Sequence, residues 1–280
     1  MSNTGTIAIL ILMVNVLFSY KGFTNQTFFD GYKFEVHKIL VNKDYKRLLT
    51  SGFLHVSWMH LIFNMVSLIF FSSSIESYLG GVRFLVIYLV SLVGGNLFTL
   101  LIHRHHGDYD AVGASGAVCG VIFASIALFP GMGVGMFFIP FSIPGWLYGV
   151  LFVLYSIYGI KSKKGNIGHE AHLGGALVGM TVAILMEPAA LLENYLTILV
   201  IVVPTVLFIY VIVMRPQFLL IDNFFFKTHP KGYTIDQRYN LQKSERQNEI
   251  DRILDKINKT GIGSLSKTES LKLKEFSKKI

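Results

Sequence analysis

The chain has 280 residues, of which 52% are hydrophobic and only 15% charged, with a mean hydropathy of +0.53 and a formal net charge of +8. A soluble domain of ordinary composition carries about 25% charge, so this balance argues against a water-soluble globule and for a membrane protein. The charge is uneven: residues 215–280 hold 14 Lys/Arg against 8 Asp/Glu, a basic tail whose thin aromatic content argues against nucleic acid and for lipid headgroups or a protein partner.

A helix needs about 20 apolar residues to cross a hydrocarbon core of about 30 Å. Seven apolar runs predict an all-α polytopic bundle of about seven transmembrane helices: Ile7 to Tyr20, Trp58 to Ser77, Val82 to His103, Ser115 to Phe129, Ile143 to Ile160, Ala171 to Met186 and Tyr195 to Met214. The first, fourth and sixth are short, and must recruit flanking residues or sit where the bilayer is thin. No basic residue precedes the first run and no Ala-x-Ala-like site follows it, so it is read as a retained span rather than a signal peptide. The long loop from Lys21 to Ser57 mixes aromatics with lysines, a composition suited to the membrane interface.

Polar side chains inside apolar helices are costly, so they mark function or interhelical contact. In the second run His60 and Asn64, four residues apart, share a face, with His55 just ahead. Two readings stay open for this pair: hydrogen-bond donors at a site, or polar contacts holding helices together. The fourth run opens Gly113-Ala114-Ser115-Gly116, placing a serine beside the free N–H groups and positive dipole end of a helix. It is equally readable as a serine N-cap followed by a small-residue packing stripe of Gly116, Gly120 and Ala124. The sixth run opens Ala171-His172, with Gly175 and Gly179 on roughly the face of His172, so that another helix can approach the imidazole closely; the fourth helix, with matching glycines, is the expected visitor. A serine touching a buried imidazole is the minimal nucleophile and general base.

These motifs, His55-x4-His60-x3-Asn64, Gly113-x-Ser115-Gly116 and Ala171-His172-x2-Gly175-x3-Gly179, resemble in order and span position the signature of rhomboid intramembrane serine proteases. The resemblance implies a Ser115–His172 dyad, with the oxyanion held by the Ser115 N–H, His60 and Asn64, and with His55, Gly113, Gly116, Gly175 and Gly179 in support. No metal and no cofactor are expected: the His103, His105 and His106 cluster has the look of a metal site but lacks cysteine and lies in a polar loop. The substrates implied by the resemblance would be transmembrane segments of single-span or polytopic membrane proteins, in helices that unwind easily. The runner-up is a rhomboid-like protein that binds transmembrane helices without cutting them. A transporter would call for repeated halves or intramembrane acids, which the chain does not display.

The family usually carries an aromatic four residues after the serine, packed on the catalytic imidazole; here Cys119 stands there, the only cysteine, so no internal disulfide forms. Glu170 is too close to His172 along the helix to share its face, Asp108 and Asp110 read as solvated loop residues, and the His103, His105, His106 cluster reads as a polar loop. Three segments are expected: a six-span catalytic core at 1–190, an additional span at 191–215 and a basic tail at 216–280. In the tail Ile250, Ile253, Leu254 and Ile257 mark an amphipathic helix ending near Gly261, and Ser266 with Glu269 reads as a capping box opening a second helix bearing Leu271 and Phe276. The expected location is a bacterial plasma membrane. The basic loops lie on the side of the site, which the positive-inside rule would make cytoplasmic, whereas rhomboids of bacterial plasma membranes open outward. The family orientation is kept, because six of the ten loop charges fall in the long first loop.

Overall fold

The computed structural model describes residues 5–135, 142–162 and 168–214, and in the tail Ile253, Lys256, Ile257, Ser266 and Glu269. The chain forms two compact units, 1–221 and 222–280. Every apolar run forms a helix, the fifth starting at Gly145 because Ile143 and Pro144 belong to a short strand. In chain order these are α1 (Thr6–Thr24), then in the first loop α2 (Gln26–Tyr32), α3 (Val36–Leu40) and α4 (Arg47–Thr50), followed by α5 (Trp58–Leu79), α6 (Gly81–His103), α7 (Ser115–Leu128), α8 (Gly145–Ser162), α9 (His169–Met186), the short α10 (Ala189–Glu193) and α11 (Tyr195–Met214). Of these, α1, α5, α6 and α9 are long and apolar enough to cross a membrane, while α7, α8 and α11 are shorter apolar helices. The first and sixth runs gain their length from flanking residues, Lys21 to Thr24 in α1 and His169 with Glu170 in α9.

All of α7 after Ser115 is buried, which makes this short helix the centre of the bundle. Helices α5, α6, α8 and α9 all touch it. The outward faces of α1, α5, α8 and α11 expose large apolar side chains such as Leu17, Phe63, Leu154 and Leu207, as a lipid-facing surface must. Between α5 and α6 the turn is one residue: Gly80 takes a φ of +84°, open to glycine, and α6 starts at once. Near it, the Glu76 carboxylate accepts the N–H groups of Ile7 (2.8 Å) and Ala8 (3.3 Å), closing the amino end of α1.

The first loop carries the short helices α2, α3 and α4 and a two-residue strand. Strand β1 (Phe34–Glu35) pairs antiparallel with β2 (Asp110–Ala111), Phe34 opposite Ala111, so the loop is joined to the segment that leads into Ser115. Arg47 is buried and donates to the carbonyls of Asp30 (2.9 Å) and Lys33 (2.7 Å) and to Asp44 (2.8 Å). Asp110, expected as merely solvated, is half exposed yet pairs with Lys33 at 2.6 Å. That contact and the ion pair with Asp30 outweigh desolvation and raise the Lys33 pKa. A second antiparallel strand pair, β3 (Gly133–Gly135) with β4 (Ser142–Pro144), lies between α7 and α8.

In the tail unit Ile253, Lys256 and Ile257 are helical. The Ser266 N–H donates to Glu269 Oε2 (2.7 Å) and the Glu269 N–H to Ser266 Oγ (3.2 Å), the reciprocal pair of a capping box, while Lys256 pairs with Glu269 at 2.8 Å. Ile250, Leu254, Gly261, Leu271 and Phe276 lie outside the described residues.

Candidate active site

The site forms where the amino ends of α5, α7 and α9 meet. Two glycine pairs bring α9 onto α7: a side chain on Gly175 would run into the Gly116 carbonyl, and one on Gly179 into the Gly120 carbonyl. This close approach places Ser115 Oγ 2.7 Å from His172 Nε2. The N-cap position of α7 is Ala114, with no side-chain cap bond, so the Ser115 hydroxyl is engaged by the imidazole rather than by the helix terminus. Both residues are partly accessible, while Gly116 and Leu173, their neighbours in sequence, are buried. Glu170 turns away, its carboxylate 3.4 Å from His103 Nε2 on α6, and the His103 ring stacks on Tyr109 at 3.7 Å. His103 is thus committed to holding the loop before α7 against α9.

His60 sits at the same place. Gly113 has a φ of +136°, and the position its Cβ would take lies 3.0 Å from His60 Nε2 and 3.7 Å from Ser115 Oγ. Glycine is needed there twice over, for its backbone angle and for the space it leaves between the imidazole and the hydroxyl. Asn64, one turn further along α5, is buried and gives one amide hydrogen to the His60 carbonyl (3.0 Å), which leaves its second hydrogen for another acceptor.

His55 is buried and tied on both sides. Its Nε2 accepts the Ala114 N–H at 3.4 Å, so Nδ1 carries the proton and donates to Ser19 Oγ at 2.8 Å, and the Ser19 hydroxyl donates to the Phe53 carbonyl at 3.1 Å. Burial, with a smaller effect from the neighbouring His60, lowers the His55 pKa to about 3, in keeping with a neutral ring. Its ring meets His60 edge-on at 4.9 Å. Ser19 went unnoticed in the sequence, although Asn15 and Ser19, four apart in an apolar run and both fully buried, form the same kind of polar stripe as His60 and Asn64. Asn15 bonds Tyr88 of α6, so this stripe anchors α1 to the bundle.

Cys119 is buried and places no ring near His172. The rings around His172 come from elsewhere: Phe152 of α8 at 6.3 Å and His169 at 6.0 Å. Neither was anticipated, because which side of α8 faces α9 is not written in a uniformly apolar run.

Fold and site together define a polytopic all-α membrane protein with a serine–histidine pair at the amino ends of two packed helices. A family model described as the Rhomboid domain matches residues 42–189, and a second, described as a family of unknown function (DUF6576), matches residues 233–279. The chain belongs to the rhomboid family. It is 34% identical over 147 residues to RHOMBOID-like protein 12, mitochondrial, of Arabidopsis thaliana, covering 47% of this chain and 43% of that protein. It is 31% identical over 149 residues to Rhomboid protein 1, mitochondrial, of Saccharomyces cerevisiae (51% and 43%), and 31% identical over 150 residues to the Putative rhomboid protease YdcA of Bacillus subtilis (52% and 69%). The matched stretch thus spans less than half of the first two relatives. Two of these three carry a mitochondrial name and one comes from a bacterium, so the relatives do not support the expected bacterial plasma membrane.

Proposed function

We propose that this chain is an intramembrane serine endopeptidase that cleaves transmembrane segments of single-span or polytopic membrane proteins. The observation that carries the reading is the 2.7 Å contact between Ser115 Oγ and His172 Nε2. Ser115 Oγ attacks the scissile carbonyl carbon while its proton passes to His172 Nε2, and the carbonyl electron pair moves onto oxygen. As the C–N bond breaks, His172 returns the proton to the leaving amine, and an acyl-enzyme on Ser115 remains. Water attacks the ester with His172 again taking its proton, which then returns to Ser115 Oγ as the new carboxyl end departs.

The oxyanion is held by the Ser115 N–H at the amino end of α7, by His60 and by the second amide hydrogen of Asn64. Each such donor is worth about 3 kcal/mol in the transition state. His55 holds the backbone just before Ser115, and Gly113, Gly116, Gly175 and Gly179 supply the close approaches. Residues 1–190 form the catalytic core, 191–215 an additional span, and 216–280 a tail serving lipid or partner contact. The words "rhomboid protease" in the names of the Bacillus subtilis relatives YdcA and GluP support the assignment. A fluorophosphonate probe tests it: labelling of the wild type that disappears in Ser115→Ala and falls sharply in His172→Ala is expected, and a wild type that never labels overturns it.

A further inference from the structure

We infer that α8 is the element that orients the candidate base, with Phe152 as a positioning residue for His172; this rests on the protease reading above. A base without a carboxylate partner depends on packing to hold its ring plane. On α7, one turn past Ser115, the side chain is the small buried Cys119, so that position offers no ring surface. The Phe152 ring stands 6.3 Å from the His172 ring at an angle of 35°, within the range of an aromatic pair. Phe152 is itself fixed, by Phe123 of α7 at 5.3 Å and by Tyr148 one turn earlier on α8 at 6.1 Å.

The second ring beside His172 also depends on α8. His169, one turn earlier on α9, lies 6.0 Å from His172 at 71° and is buried against Gly159 of α8, where any added side chain would strike the imidazole. Tyr155 of α8 meets the His169 ring edge-on at 5.1 Å. Both rings found beside the base among the described residues are therefore set by α8, Phe152 directly and His169 through Gly159. Movement of α8 away from α9 would release the base, so the position of α8 and the competence of the dyad are coupled.

The test uses the full chain in liposomes with a single-span substrate, comparing wild type, Phe152→Leu, Phe152→Tyr and Gly159→Ala for kcat, KM, the pH profile and the rate of fluorophosphonate labelling. Phe152→Leu should stay folded, lose about three- to tenfold in kcat and labelling rate with KM changed less than about twofold, and shift the basic-group limb of its pH profile. Phe152→Tyr should recover most of the loss, and Gly159→Ala should reproduce the Phe152→Leu pattern from a different position. A folded Phe152→Leu with wild-type kcat and pH profile overturns the inference while leaving the protease reading intact. So does a fall in thermal stability alone. A wild type that neither cleaves nor labels overturns the protease reading itself and the inference with it.

Discussion

Gly175 of α9 lies directly on the Gly116 carbonyl of α7, the residue next to Ser115, and only two residues, Leu173 and Gly174, separate Gly175 from His172. The distance between hydroxyl and imidazole is therefore set by a backbone-to-backbone contact, not by side-chain reach. Gly175→Ala would push α9 off α7, because backbone on a packed helix has little room to yield. The expected result is a protein that inserts but loses at least about tenfold in cleavage rate, with a lowered melting temperature in detergent. Gly31→Ala, where an added Cβ meets open space, is the control and should change neither.

His55 gives a pH-dependent stability with a defined sign. Its folded pKa of about 3 is below the ordinary value of 6.5. As pH falls below 6.5 the unfolded chain takes up a proton that the folded chain refuses until about pH 3. Its contribution is thus complete above pH 6.5 and is lost progressively toward pH 3, at up to about 1.4 kcal/mol per pH unit. His55→Gln removes this one dependence. Melting curves in detergent at pH 7.5 and pH 5 should show a smaller drop for the variant than for the wild type; equal drops would mean that His55 takes up its proton as readily in the fold as in the unfolded chain.

Glu76 closes the amino end of α1 from the far end of α5, away from Ser115. Glu76→Gln keeps a single acceptor oxygen and loses the charge at the helix dipole, a destabilisation of about 1–2 kcal/mol. The variant should melt earlier in detergent yet cleave at close to the wild-type rate once folded. A large loss of activity at unchanged stability would show that α1 acts on the site more directly than through packing.

Much of this was open to a reader of the sequence. Long apolar runs leave helix as their only solution in lipid, and inside them His60, Asn64, Ser115 and His172 are conspicuous because each costs free energy. The tail capping box of Ser266 and Glu269 was legible too, being local and reciprocal. What stayed hidden was non-local. Arg47 earns its burial by bonds to carbonyls 14 and 17 residues away in chain, and the two-residue strands β1 and β2 have no period to detect. Ser19 and Asn15 carry the same signal as His60 and Asn64, but only the fold pairs them with His55 and Tyr88. Phe152 could not be told from its apolar neighbours without the rotation of α8.

The most direct test of the central claim is cleavage of a single-span substrate by the full chain reconstituted in liposomes, comparing wild type, Ser115→Ala and His172→Ala, with each protein shown to be folded. The account predicts cleavage by the wild type at one or a few sites in or beside the transmembrane segment, abolished in Ser115→Ala and reduced by at least about a thousandfold in His172→Ala. Cleavage that survives intact in folded Ser115→Ala would contradict it, because the 2.7 Å pair would then not be the reacting one.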